Sequence, residues 1–191
     1  KHKTGRWTSM HLTASNLQNE NVSRKDAFKP DPVVSPVYQS QVSAYVGTGY
    51  DKGHMVPFED VADDEVSALE SFHMTNIAPQ IASHNRGIWK SLEYRTRKMT
   101  IQKGQSFVIT GPIFKAPTLT LRDGTPIPTA FFKIILIPTT KESYVFIIPN
   151  KTGLLAGSLP NYLTTLKKLN AYNTNTTINF KTPLNEKLTF N

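Results

Sequence analysis

The sequence of 191 residues has no cysteine and no long run of apolar residues. The lack of cysteine excludes disulfide bonds and thiolate metal sites. The longest apolar run, residues 131–138, is interrupted by Lys133 and is much shorter than a bilayer span. We therefore expect no membrane association. The chain begins with Lys1-His2-Lys3 and shows no signal peptide. We interpret it as a processed product and expect a secreted or exported protein whose targeting segment has been removed.

Acidic residues are also scarce. The chain has 14 Asp and Glu against 22 Lys and Arg, which gives a net charge of +8. A cationic surplus favours polyanionic partners, since each phosphate that is neutralised releases counterions. Charge alone does not assign nucleic acid, because many basic proteins bind none. No internal repeat or long linker is present, so we interpret residues 1–191 as a single domain.

The distribution of apolar residues predicts the fold. Helical spacing is seen before Gly104, and short runs rich in Phe, Ile and Val follow it. The expected class is α+β, with a mostly antiparallel central sheet flanked by helices. The predicted elements are an early strand near Trp7 and His11, helices at 60–72, 82–98 and 159–169, strands at 106–110, 130–137 and 144–148, a strand at 119–122 entering an Asp123-Gly124 hairpin, and a last short strand in the tail after Asn170.

Residues suited to phosphodiester hydrolysis concentrate around His54 and along the second predicted helix. Asn85, Glu93 and Arg97 are separated by eight and four residues. At about 100° per residue these separations rotate roughly 80° and 40°, which places Glu93 and Arg97 on one face and Asn85 on the adjoining side. Oxygen ligands suit Mg²⁺, histidine is a base near neutral pH, and a cation stabilises developing negative charge.

The segments that carry these residues resemble those of a known family. GYDKGHMVP resembles the D-R-G-H signature of the DNA/RNA non-specific endonucleases, which are ββα-metal finger nucleases. TNIAPQ, SHNRGIW and the Glu93/Arg97 pair are similar to the family's second motif. ITGPIF, IPTAFFKIIL, RWTSMHLTASNL and AFKPDP look like its flanking segments. The resemblance covers about residues 6–148 and is looser over 149–191. It implies a ββα-metal finger as the active site.

The resemblance also implies the role of each central residue. His54 would take a proton from the attacking water. Asn85 would be the one direct protein ligand of Mg²⁺, for which Mn²⁺ could substitute. Glu93 would hold metal-bound waters. Arg97 would contact the phosphate and stabilise its developing charge.

Other residues around the signature would support these groups. Asn76 would brace the site beside the base, Asp51 would support the first strand of the finger, and Gly53 would allow a close backbone approach. Lys52 stands where the family usually has Arg; it keeps the charge but lacks the planar fork that grips a phosphate. Arg24 is a candidate for an additional arginine that family members often use upstream of the signature.

Several of these residues have ordinary structural explanations. His54 could be a loop histidine, and Asn76 and Asn85 could cap turns or helices. Glu93 and Arg97 could form an exposed helical salt bridge. We interpret four further features as structural rather than functional: Trp89 as core packing, His73 and His84 as structural or solvent-facing, and the acids Glu59, Asp60, Asp63 and Asp64 as a solvated helix start.

The expected function is hydrolysis of DNA and RNA without preference for sugar or sequence, since no motif for reading base edges is present. One alternative is a weak or inactive nucleic-acid-binding module, which the lysine at position 52 favours. Another is a phosphodiesterase of small nucleotides. DNA and RNA are the expected partners, and an inhibitor protein is a further possible partner.

Overall fold

The computed structural model describes residues 3–19, 21–173, 177–181 and 184–190. Short 3₁₀ turns separate many of the regular elements, notably at Phe58–Asp60, Met74–Asn76 and Ala156–Tyr162. In chain order the helices and strands are β1 (Thr8–Thr13), α1 (Ala14–Gln18), β2 (Tyr50–His54), α2 (Glu65–Glu70), β3 (Ile77–Ile81), a π-helical segment (His84–Trp89), α3 (Lys90–Lys103), β4 (Gln105–Ile113), β5 (Ala130–Ile137), β6 (Glu142–Pro149), β7 (Leu163–Thr164), α4 (Leu166–Tyr172) and β8 (Asn185–Glu186).

The main sheet has the strand order β1-β4-β5-β6-β7, and each neighbouring pair is antiparallel. β8 adds a short parallel pairing to the beginning of β6. The expected α+β class with a mostly antiparallel sheet is confirmed. β5 has the predicted bounds, because its dense run of Phe and Ile is buried on both faces of the sheet.

Each face of the sheet has its own core. Phe131 and Ile135 point toward the π-helical segment and α3, where they pack with Trp89. Phe132 and Ile134 point to the opposite face, where α4 covers them. Burying a large apolar side chain contributes about 1.5–3 kcal/mol, so the centre of the sheet is a firm base for the helix that lies on it. The predicted role of Trp89 in core packing is confirmed, since its side chain has no solvent exposure.

A separate two-stranded sheet lies beside the helix. β2 and β3 pair antiparallel, and β3 continues almost directly into the π-helical segment and α3. Strand, strand and helix therefore form one ββα unit, although residues 55–76 intervene between the strands. The helix begins near residue 82 as predicted but runs to Lys103, and Gly104 ends it with a φ of 89°.

Three predicted elements are wrong. The helix at 60–72 is reduced to α2, because Asp64 accepts a hydrogen bond from Ser67 N and caps the helix there. The helix at 159–169 is a 3₁₀ turn containing Pro160, then β7, then α4 capped by Thr165. At residues 119–122 only the predicted turn forms, with Gly124 at a φ of 83°.

The tail after Asn170 includes the short strand that the sequence predicts. β8 is the predicted last strand. Within the described ranges, no helix combines the length and apolarity that crossing a bilayer requires.

Candidate active site

The register of the β2–β3 pair fixes the position of His54. His54 is the last residue of β2 and pairs with Ile77, the first residue of β3. Gly53 pairs with Ala78, one step further along. The imidazole therefore leaves the hairpin at the end where the chain departs toward the intervening residues 55–76.

Gly53 allows the hairpin to lie against a buried side chain. A Cβ atom built on Gly53 would lie 2.7 Å from Cβ of Gln80, well inside contact distance. Gln80 is buried, and its Nε2 donates to Nδ1 of His84 at 2.9 Å. His84 is fully buried beside Trp89, and burial lowers its pKa to about 4. It is a neutral structural residue, as its sequence context indicated.

Replacing Gly53 with alanine is expected to lower the free energy of unfolding by about 2–3 kcal/mol, because the new methyl group would overlap Gln80. Gly87→Ala is the matched control: a Cβ there has nothing within 4 Å, and alanine favours helix. Urea unfolding of both variants measures the difference. Equal stability of the two variants would contradict the close approach at Gly53.

Asn76 connects the segment after His54 to the segment before β3. Its Oδ1 accepts from Val56 N at 3.0 Å, and its Nδ2 donates to Val56 O at 2.9 Å and Ser71 O at 2.8 Å. Met55 N donates to the backbone oxygen of Asn76 at 3.0 Å. The amide is 8% exposed. Asn76 thus braces the two residues that follow His54 and connects them to Ser71 at the C-terminal end of α2.

The imidazole of His54 lies among aromatic rings. Its centroid is 5.4 Å from that of Phe28 and 5.1 Å from that of Phe72, which meets it edge-on. Its Nε2 is buried, and no described residue forms a hydrogen bond with it. Burial lowers the pKa of His54 to about 4, and the positive charge of Arg24 adds to this effect. The ring is therefore neutral at physiological pH, with a nitrogen able to accept a proton.

Two cations border this aromatic cluster. The Arg24 guanidinium carbon is 5.5 Å from the Phe72 centroid, and Arg24 forms ion pairs with Asp26 at 3.1 Å and Glu59 at 3.3 Å. Lys52 Nζ is 4.8 Å from the Phe28 centroid. Phe28 thus contacts both His54 and Lys52.

Asn85 is held by Asp51 of the first strand. Asn85 Nδ2 donates to Asp51 Oδ2 at 2.9 Å, and Arg86 donates to both oxygens of the same carboxylate at 2.8 and 2.6 Å. Burial of Asp51 acts to raise its pKa, but the hydrogen bonds from Arg86 and Asn85 hold the pKa below its usual value. With Nδ2 engaged, Asn85 Oδ1 accepts no hydrogen bond from the described residues. Asn85 is therefore not a helix cap.

The π-helical segment changes the helical phase between Asn85 and Glu93. A π turn adds one residue to an α-helical path. The eight steps from Asn85 to Glu93 then rotate the chain like seven α-helical steps. At about 100° per step, the two side chains differ in direction by roughly 20° rather than 80°. Asn85 therefore lies on the face of Glu93, not on the adjoining side as expected from regular helix geometry.

Glu93 lies above a buried lysine of the sheet. Burial raises the pKa of Glu93 to about 8, the charge of Lys133 opposes that shift, and Asp60 adds to it. Lys133 is 1% exposed; its Nζ donates to Thr110 Oγ1 at 2.9 Å and lies 5.0 Å from the Trp89 ring. No described residue forms a hydrogen bond with the Glu93 carboxylate.

Arg97 pairs with a residue that the sequence did not indicate. Its Nη1 donates to Asp60 Oδ1 at 2.8 Å, and Asp60 is 4% exposed. Among the described residues Arg97 forms no ion pair with Glu93, so the helical salt bridge considered above does not form. The interpretation of Asp60 as part of a solvated helix start is wrong, since it is a buried ion-pair partner. Asp64, by contrast, is an exposed cap.

The structure brings the sequence-predicted residues together in and around the ββα unit and adds others to them. Asp60, Lys133, Phe28 and Phe72 are the additions, and they come from four separate segments. Only Lys133 gave a signal, as a single charge within an apolar run. The positions of the other three residues depend on contacts between distant segments of the chain, which the spacing of residues in the sequence does not predict.

A hairpin with a histidine on its first strand, followed by a helix with a partly buried amide near its start, has the architecture of a ββα-metal finger. The same fold occurs in a chain of the crystal structure of the EndoG/EndoGI complex, with a TM-score of 0.78 and 24% identity over 88% of this chain and 76% of that chain. The model of the DNA/RNA non-specific endonuclease family matches residues 1–187, and the chain belongs to that family.

Named nucleases are among its relatives. The chain is 33% identical to Nuclease C1 of Cunninghamella echinulata var. echinulata over 79% of its own length and 66% of that protein. It is 30% identical to the mitochondrial nuclease EXOG of Danio rerio over 78% of its length and 48% of that protein. With mitochondrial Nuclease 1 of Schizosaccharomyces pombe the identity is 30% over 76% and 51%. The chain thus spans about half to two thirds of the length of these relatives.

The expectation of a secreted or exported protein is contradicted by these relatives. The proteins of Danio rerio and Schizosaccharomyces pombe are mitochondrial nucleases by name. The expectation rested on the interpretation of the chain as a processed product, and a transit peptide for an organelle is also a removable targeting segment.

Proposed function

We propose that the chain is an endonuclease that hydrolyses the phosphodiester bonds of DNA and RNA without sugar or sequence preference. His54 is the general base, and Mg²⁺ is held through Asn85. The observation that carries the proposal is the ββα unit itself. It presents a neutral imidazole on one strand and, at the start of its helix, an amide oxygen that the described residues leave without a hydrogen bond. Family membership and the named nuclease relatives support the reaction class.

The residues around Asn85 suit a hydrated Mg²⁺. Asp51 holds the amide by accepting a hydrogen bond from Nδ2 of Asn85. Oδ1 of Asn85 accepts no hydrogen bond from the described residues and is therefore available to a metal ion. Glu93 lies on the same face, and a dication there would favour its charged form against burial. The described residues include no group of three His, Cys, Asp or Glu side chains that could enclose a metal ion. A site with one amide ligand and one carboxylate leaves most positions to water, which Mg²⁺ retains readily. Mn²⁺ is expected to substitute.

His54 acts on the attacking water. The neutral ring accepts the proton as the water oxygen bonds to phosphorus, and the bond from phosphorus to the leaving sugar oxygen breaks. That oxygen then takes a proton from solvent. Phe28 and Phe72 restrict the ring, and Asn76 fixes the backbone after it, so the base is positioned before substrate binds. Bound Mg²⁺ would polarise the phosphate and stabilise the charge of the transition state.

Cations around the site bind the phosphate. Arg97 donates a hydrogen bond from one guanidinium nitrogen to Asp60. This bond orients the guanidinium and leaves its other N–H groups for the substrate. Lys52, held over Phe28, supplies a point charge in place of a planar fork. Arg24 adds a third positive charge beside the same aromatic cluster. These contacts address the backbone of nucleic acid rather than its base edges, which accounts for a lack of sequence preference.

An inhibitor protein is a further proposed partner, by analogy with the EndoG/EndoGI complex. The activity is tested with plasmid DNA and RNA in the presence of Mg²⁺ and of a chelator. Salt-dependent binding without cleavage would favour the binding module. Cleavage of dinucleotides but not of plasmid would favour the small phosphodiesterase.

A further inference from the structure

A groove of about 730 Å³ follows the flank of α3 away from the proposed active site. It is bounded by α3 on one side, and by the start of β6 and the tail after β8 on the other. We call it the α3 groove. It carries four cations and one carboxylate, and the residues that matter here are Tyr94, Arg95, Lys98, Lys103, Glu142 and Lys187.

The positive charge of the α3 groove is concentrated at the end near the active site. Glu142 pairs with Lys103 at 3.5 Å and with Lys187 at 3.3 Å, so its single negative charge offsets one of the two positive charges at the far end. Arg95 and Lys98 form no ion pair with any described residue. A polyanion in the groove would therefore meet two uncompensated cations on α3.

An exposed aromatic ring accompanies these cations. Tyr94 is 56% exposed, and Lys98 Nζ lies 5.8 Å from the centroid of its ring. An exposed ring is costly to leave in water but stacks well on a nucleobase, while neighbouring cations hold the phosphates. Tyr94 and Lys98 thus combine the two features of a surface for single-stranded nucleic acid.

Helix geometry connects the α3 groove with the proposed site. Tyr94 directly follows Glu93, and Lys98 directly follows Arg97. One residue turns the helix by about 100°, which on a cylinder roughly 10–12 Å wide separates the two faces by about 9 Å. Along the axis, residues 94–102 span about 12 Å at 1.5 Å per residue. With stacked bases that rise about 3.4 Å per nucleotide along the axis, this length accommodates roughly three to four nucleotides.

We propose that the α3 groove binds a single strand of nucleic acid that continues from the phosphate at the active site. Arg95 and Lys98 contact its phosphates, and Tyr94 stacks on a base. That the bound strand continues to a phosphate cleaved at the active site rests on the proposed function. The binding of a single strand in the α3 groove does not.

Binding is measured by fluorescence anisotropy with a labelled single-stranded 12-mer at several salt concentrations. The His54→Ala background and a chelator prevent cleavage. Adding Arg95→Ala and Lys98→Ala is expected to weaken binding about tenfold near 0.1 M salt, and to make the slope of log K against log salt shallower by about 1.4. Tyr94→Ala is expected to weaken binding about tenfold with the slope unchanged, since stacking releases no counterions.

Lys167→Ala with Lys168→Ala is the matched control for charge. Both lysines are exposed on α4, which packs on the opposite face of the main sheet. This variant is expected to bind the 12-mer like the His54→Ala parent. With unlabelled oligonucleotides as competitors, affinity is expected to rise from a dinucleotide to about an octanucleotide in the parent, and to rise less in the Arg95/Lys98 variant.

Equal affinity and equal salt slopes for the groove and control variants would overturn the proposal. So would binding of poly-glutamate that depends on Arg95 and Lys98 while binding of the 12-mer does not, which would assign the groove to an acidic protein. If the wild-type chain cuts no substrate, the proposed function fails, but the binding measurements still decide the groove. If it cuts plasmid and the groove variants bind like the control, only the groove assignment fails.

Discussion

Asn85→Ala is expected to reduce the rate of DNA cleavage at saturating Mg²⁺ by about 10³-fold, with little change in stability. The amide oxygen is the proposed direct ligand, and a bound metal contributes several kcal/mol to stabilising the transition state. Each 1.36 kcal/mol is a tenfold rate change, so loss of the ligand corresponds to about three powers of ten. Thermal unfolding should be nearly unaffected, because among the described residues the Asn85 side chain forms one hydrogen bond, to Asp51.

Asp51→Asn is the graded comparison for Asn85. Asp51 orients the amide without being a proposed ligand, so its loss is expected to cost about 10- to 100-fold. Raising the Mg²⁺ concentration should restore part of this loss. Cleavage rates measured against Mg²⁺ concentration separate the two variants. If Asn85→Ala kept the rate and the Mg²⁺ dependence of the wild type, its assignment as the metal ligand would be wrong.

His54→Ala is expected to lower the cleavage rate by about 10²- to 10⁴-fold, the usual contribution of a general base. Phe28 and Phe72 would then flank an open space of imidazole size, so added imidazole should restore part of the rate. His11→Ala is the matched control. His11 lies on the edge strand β1 against Phe107, and its replacement should leave cleavage unchanged.

The pH dependence provides a second measurement of the same residue. Burial lowers the pKa of His54 to about 4, so the base is available above that pH and is lost by protonation below it. The acid limb of kcat/KM at saturating Mg²⁺ is therefore expected near pH 4 rather than at the 6.5 of an unperturbed histidine. Unchanged cleavage by His54→Ala without added imidazole would contradict the role of His54.

The sequence was sufficient to predict the main sheet and the residues of the ββα unit. The bounds of β5 could be predicted because a strand buried on both faces is dense in apolar residues, even with Lys133 in its middle. The positions of His54 on the hairpin and of Asn85 near the start of the helix could be predicted because their short motifs are local in sequence. The predicted bounds of two helices differ from the structure because the apolar residues have helical spacing on both sides of a residue that interrupts the helix. These residues are the N-cap Asp64 and Pro160.

The features that position the side chains of the site could not be predicted from the sequence. Asp60 reaches Arg97 from 37 positions away, and nothing in its own neighbourhood distinguishes it from a solvated acid. The π-helical segment was also unforeseen, because its phase change depends on one additional residue per turn and not on residue type. Both features alter the chemistry, since one orients the guanidinium and the other aligns Asn85 with Glu93.

Incubation of the wild-type chain with supercoiled plasmid and with RNA tests the central claim most directly. The account predicts that both substrates are degraded to short fragments with Mg²⁺, that a chelator stops the reaction, and that sequenced fragment ends show little base preference. Intact plasmid and RNA after incubation with Mg²⁺ and with Mn²⁺, under conditions where the chain binds both, would contradict it.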